Sequence, residues 1–128
     1  MMTKQMIEDS ATVLIVAKPG PLRDGVQALL VAMPQVGIIH EIDDVSLVAA
    51  GNVDGLPDLV LLACGVGTGV VGPAVEQAKA RWPRSRYVTL VGSVEQQREA
   101  ELAGVDVVVL NGLSAQKLFQ AIAGALSQ

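Results

Sequence analysis

The five residues Leu59-Val60-Leu61-Leu62-Ala63 restrict this chain more than any other segment. They carry no polar side chain and no apolar-polar alternation, so a strand built from them must be covered on both faces of its sheet. Pro57-Asp58 before them and Cys64-Gly65 after them set its limits. A buried central strand of this kind calls for helices on both sides and therefore for an α/β layered fold. The composition agrees. Hydrophobic residues make up 51% of the chain and aromatics only 2%, so the core is aliphatic, as parallel strands and their covering helices favour.

Other segments of the same type flank the central one. Thr12 to Val16 reads as a first strand ended by Lys18-Pro19-Gly20-Pro21, and Leu22, Val26, Leu29, Leu30 and Met33 then recur at helical spacing up to Pro34. Val36 to Ile42 is a second strand, after which Asp43 or Asp44 can cap a brief helix carrying Val45, Val48 and Ala49 until Gly51. A glycine-rich stretch from Gly65 to Gly72 follows the central strand, and Pro73 opens a helix with Ala74, Val75, Ala78 and Trp82 on one face, ended by Pro83. Tyr87 to Val91 is the fourth strand. Ser93 with Gln96 three positions on forms a capping box for a short helix reaching Gly104. Val105 to Leu110 is the fifth strand, and Ser114 caps a last helix with Leu118, Phe119, Ile122, Ala125 and Leu126 inward and Gln116, Lys117 and Gln120 outward. Five β-then-α units without a linker predict one domain over residues 1–128, with 1–10 as a flexible leading segment. Right-handed crossovers then give a flavodoxin-like parallel sheet of order 2-1-3-4-5.

Charge and length exclude several functions. A formal charge of -4 without a Lys/Arg cluster lacks the footprint of phosphate-backbone binding, so no direct nucleic-acid contact is expected. No apolar run approaches the roughly 20 residues of a membrane span, and residues 1–10 do not read as a secretory signal. The single Cys64 makes no internal disulfide and reads as a small apolar core residue, which suits the cytoplasm.

Four segments together resemble the receiver domain of two-component response regulators, in particular the CheY-like domain of LuxR/NarL-type proteins. They are Leu14-Ile15-Val16 with Leu22-Arg23-Asp24-Gly25 and Leu29-Leu30; Pro57-Asp58 leading into the central strand; Trp82-Pro83 with Arg86; and Ala103-Gly104-Val105-Asp106 before Val107 to Leu110. The likeness spans nearly the whole chain, apart from a short deletion near the helix after Ser93. It implies a signalling domain, in which an acidic pair after the first strand and an aspartate ending the third hold Mg²⁺ for phosphoryl transfer. Here the acidic-pair positions carry Ala17 and Lys18, and the phosphoacceptor position carries Ala63. Val91 stands at the position of the switch hydroxyl and Asn111 at that of the lysine after strand five. With no oxygen cage, no Mg²⁺, no other cofactor and no aspartyl phosphate are expected, and Asp58, at the start of its strand, points away from the site. The expectation is a degenerate receiver, or pseudo-receiver, that is not an enzyme. It would act through a protein partner or homodimer contact made by the helix after Ser93, the fifth strand and the last helix. Because the sequence stops at Gln128 just after that helix, a covalently linked output domain is expected to follow.

Four other constellations stand beside these. The adjacent acids Asp43 and Asp44 can in principle hold a metal, but a helix cap is the simpler role. Gly67-Thr68-Gly69-Val70-Val71-Gly72 satisfies the dinucleotide fingerprint, yet it follows the third strand, and no acid ends the next strand to take a ribose. An anion or nucleotide held by Lys18 and the amides near Gly65, Gly67 and Gly69 is the alternative function. His40 has no nucleophile at a meaningful spacing, and Arg81, Arg84 and Arg86 read as a solvated helix end.

Overall fold

A computed structural model describes residues 11–42, 57–63, 71–110 and 115–126. In chain order the elements are β1 (Ala11–Val16), α1 (Pro21–Val31), β2 (Val36–Ile42), β3 (Leu59–Ala63), α2 (Val71–Arg81), β4 (Arg86–Val91), α3 (Val94–Ala103), β5 (Val107–Leu110) and α4 (Ala115–Leu126). All strand pairs are parallel and the sheet order is β2-β1-β3-β4-β5, as the alternation predicts. The helix expected after Asp43 or Asp44, the leading segment 1–10 and Cys64 lie outside the described residues.

The core has two halves because alternate residues of a strand point to opposite faces. Val13, Ile15, Leu59, Leu61, Val88 and Leu90 face Val26 and Leu30 of α1 and Ile122 and Ala125 of α4. Leu14, Val60, Leu62, Tyr87 and Val91 face Val75 and Ala78 of α2 and Ala100 of α3. The continuous apolar run of β3 thus has each face covered by a helical layer.

Some boundaries differ from those the sequence suggests. β5 begins at Val107, because the Val105 N–H is taken by Ala100 O and the Asp106 N–H by Tyr87 O. Gly104, in the left-handed region at φ 88°, stops α3: its own N–H reaches Ala100 O and Glu101 O, and the Val105 N–H also returns to Ala100 O. Its carbonyl accepts from Lys79 Nζ at 2.8 Å, so α2 also grips the turn. α2 starts at Val71, which puts Pro73 third in the helix, still within the turn whose N–H groups need no intrahelical acceptor. Leu22 is 43% and Phe119 37% exposed, so both leave the apolar faces the periodicity gave them.

Ser93 caps α3 as expected: its Oγ accepts the Gln96 N–H at 3.2 Å. The return bond runs from the Gly92 N–H to Gln96 Oε1 at 2.7 Å, one residue ahead of the usual capping box. Thr89 is an exception to the satisfied core. It is fully buried on β4, and its Oγ1 has no hydrogen-bond partner among the described residues. Thr89→Val keeps the shape and removes an unpaired hydroxyl, so it should raise unfolding stability by about 1 kcal/mol. Chemical denaturation of the two proteins reads this directly, and a less stable valine variant would mean the hydroxyl has a partner.

Candidate functional site

In a doubly wound sheet the ligand edge is where the strands end at their carboxyl termini. The β1–β3 register pairs Val16 with Leu62, so the next residues, Ala17 and Ala63, lie side by side at that edge. Ala17 is buried and donates its N–H to Ile42 O at 3.0 Å, while Lys18 after it is exposed. Ala63 is half-buried and Val91, the last residue of β4, is fully buried. Four of the positions the resemblance singles out therefore gather at one edge. Asn111 and the loop glycines Gly65, Gly67 and Gly69 lie outside the described residues, and Gly72 sits in the first turn of α2.

Two residues that sequence reasoning gave no role complete this edge. Arg23, third in α1, donates from one guanidinium nitrogen to Ala17 O at 3.0 Å, and its other terminal nitrogen lies 3.7 Å from Glu41 Oε1. Both side chains are largely shielded, at 19% and 24% exposure. Glu41 stands opposite Ile15 in the register, one residue before the end of β2, and its Oε2 is buried with no hydrogen-bond partner among the described residues. The group over the end of β1 is thus an arginine anchored to a backbone carbonyl. No local pattern reveals this pair, since Arg23 belongs to α1 and Glu41 to β2, which meet only in the folded domain.

The acids nearest in sequence to the central strands are engaged at the opposite edge. Asp58 Oδ2 accepts the Thr12 N–H at 2.8 Å, its own N–H goes to Thr12 O and its carbonyl takes the Arg86 N–H. Asp106 Oδ2 accepts the Tyr87 N–H at 2.7 Å. They tie the starts of neighbouring strands together, as the expectation for Asp58 required.

Mg²⁺ needs several oxygen ligands in near-octahedral array. Ala17 and Ala63 offer no side-chain oxygen, Lys18 adds a cation, and Glu41 faces Arg23. These described residues do not fit the metal, and among them no group of three or more His, Cys, Asp or Glu can hold a metal ion. His40 lies within β2 and Arg81, Arg84 and Arg86 near the other end of the sheet, apart from this edge. Among the described residues no helix is long and apolar enough to cross a membrane.

No protein-family model matches the sequence, and no curated protein matches it. Solved structures do. A LuxR family DNA-binding response regulator from Silicibacter pomeroyi is 25% identical, with a TM-score of 0.75 over 91% of this chain and 92% of that one. The RcsB response regulator of Salmonella typhimurium, 12% identical, gives a TM-score of 0.79 over 93% of this chain and 60% of its own. The receiver domain of a Pseudomonas aeruginosa sensor histidine kinase, described with magnesium coordinated in its active-site cleft, is 14% identical, with a TM-score of 0.75 over 93% and 99%. Strand order, helical layers and these neighbours agree: the chain has the CheY-like fold of response-regulator receiver domains.

Proposed function

We propose that this domain is a pseudo-receiver: a cytoplasmic signalling module that keeps the receiver architecture, is not phosphorylated, and acts by contacts with other proteins. The observation that carries the reading is the trio Ala17, Lys18 and Ala63 at the edge where a receiver needs three acids. Support comes from Arg23, whose guanidinium is bonded to the carbonyl of Ala17 and paired with Glu41. Without a carboxylate nucleophile there is no acceptor for a phosphoryl group, and without oxygen ligands its charge is not offset. The output then depends on surface contacts made by α4 and the β5 region, with a protein partner or a second copy. The RcsB chain extends well beyond the part this domain matches, which favours a covalently linked output module here as well.

Incubation with acetyl phosphate, or with beryllofluoride and Mg²⁺, should leave the mass and the Trp82 fluorescence unchanged. A saturable, Mg²⁺-dependent change in either would overturn the proposal. The alternative, an anion or nucleotide held by Lys18 and the Gly65 to Gly72 loop, rests on residues 65–70, which lie outside the described residues.

A further inference from the structure

The connection from α2 to β4 concentrates positive charge that the helix end explains only in part. Lys79, Arg81, Arg84 and Arg86 are four of the nine basic residues of the chain, and no Asp or Glu occurs between Glu76 and Glu95. No two of them are adjacent, so they form no basic run, yet the fold gathers them at one corner. The helix dipole favours Lys79 and Arg81 in the last turn of α2. Arg84 and Arg86 lie beyond the helix, where its field has faded.

Lys79 is engaged in the fold, since its Nζ donates to Gly104 O at 2.8 Å and lies 5.9 Å from the centre of the Tyr87 ring. The three arginines are not. Their guanidinium groups make no hydrogen bond or ion pair among the described residues, and Arg81 and Arg84 are exposed while Arg86 is half-buried. Asp58 and Asp106, just before β3 and β5, turn a carboxylate oxygen onto the Thr12 and Tyr87 N–H groups instead. The turn itself is tied down from several sides. Trp82 is buried, its N–H goes to Ala78 O at 2.8 Å, and its carbonyl accepts the Tyr87 hydroxyl at 2.7 Å and the Ser85 N–H at 3.3 Å. The Ser85 hydroxyl donates to Pro57 O, and Pro83 fixes one more backbone angle. Three unpaired guanidinium groups thus sit on a backbone already in place, so a ligand need order only side chains.

We propose that this corner, at the amino edge of the sheet, docks an acidic segment of a partner protein, whose carboxylates the three arginines take. The surface is distinct from the carboxyl edge and from the last helix, and it does not depend on the domain being unphosphorylated. Guanidinium forks match carboxylates in pairs. A protein segment fits better than nucleic acid, because the chain is acidic as a whole and Asp58 and Asp106 stand at the same edge. Both oppose a long ladder of phosphates, whereas a short run of Asp or Glu needs only the corner itself.

Fluorescence anisotropy of a labelled octaglutamate peptide with the full chain tests this, with octaglutamine as the neutral control. Octaglutamate should bind saturably and weaken as salt rises from about 50 to 200 mM, and octaglutamine should not bind. Arg81→Gln combined with Arg84→Gln should lower the affinity at least about tenfold, while Arg98→Gln, at an exposed arginine of α3, leaves it unchanged. An unchanged melting temperature checks that the double variant is folded; should it not be, Arg84→Gln alone must still weaken binding at least about threefold. No binding at about 1 mM peptide, or equal losses in Arg98→Gln and the double variant, overturns the proposal. Tighter binding of a duplex DNA oligonucleotide or of phosphatidylserine vesicles than of octaglutamate overturns it as well, by giving the corner to a phosphate surface.

Discussion

Replacing Arg23 by methionine should lower the unfolding free energy by about 2 kcal/mol, without opening a metal site. Two losses add. The Ala17 carbonyl gives up a charged donor at 3.0 Å, and Glu41 is left as a shielded carboxylate whose Oε2 already lacks a partner. Removing one member of a fully buried pair costs about 3–5 kcal/mol, and the partial exposure of both side chains here, 19% and 24%, brings the figure down. The double variant Arg23→Met with Glu41→Met should recover most of the loss, because two apolar groups need no partners. Urea denaturation of the four proteins completes the cycle. If the single variant is as stable as the parent, Arg23 is not what closes this edge. Titration of Arg23→Met with Mg²⁺ should stay silent, since the ligand positions remain Ala17, Lys18 and Ala63.

The cycle also bears on how the domain can be a switch at all. In a receiver that takes Mg²⁺, the ends of β1 and β3 are bridged by an ion whose occupancy varies. Here the end of β1 is bridged to α1 and β2 by side chains that belong to the chain itself. The Arg23 guanidinium is tethered to the chain, so unlike a bound ion it stays near this edge whatever the metal concentration.

Strands were the most legible part of the sequence, because β2 and β3 are bounded by abrupt changes from apolar to turn-forming residues. Both coincide with the expected limits, Val36–Ile42 and Leu59–Ala63. The start of β5 was misread since Val105 is as β-favouring as its neighbours. Only the Gly104 turn, which commits the Val105 N–H to Ala100, removes it from the ladder. Helix stripes were correct at their centres, Val26, Leu30, Ile122 and Ala125, and failed at Leu22 and Phe119, because periodicity assigns a face but not how much of it is covered. At the candidate site, the placement of Ala17, Lys18, Ala63 and Val91 at the carboxyl edge needed only the strand ends. What stands there instead was illegible. Arg23 and Glu41 meet because α1 packs against β2, and no local spacing encodes that contact.

Above about pH 10 the native domain should lose stability through Tyr87 by up to about 1.4 kcal/mol for each pH unit, and Tyr87→Phe should abolish that slope. Burial pushes the Tyr87 phenol well above its ordinary value of 10.0, with the nearby Asp106 charge adding to the rise. The hydroxyl donates to Trp82 O at 2.7 Å, and only its protonated form can do so. Since the folded pKa is the higher one, the contribution is complete below the ordinary phenol value. As pH climbs past it, the unfolded chain releases its proton while the folded chain retains it, and the balance moves toward unfolding. At neutral pH the phenylalanine variant should be the weaker protein by about 1 kcal/mol, the net value of a hydrogen bond whose acceptor is left without this donor. Near pH 11 the two stabilities should therefore cross, with phenylalanine ahead beyond that point. Lysines titrate in the same range, but they are common to both proteins and cancel in the difference. Parallel unfolding curves that keep a constant gap from pH 8 to 12 would show that the phenol ionises as readily in the fold as outside it.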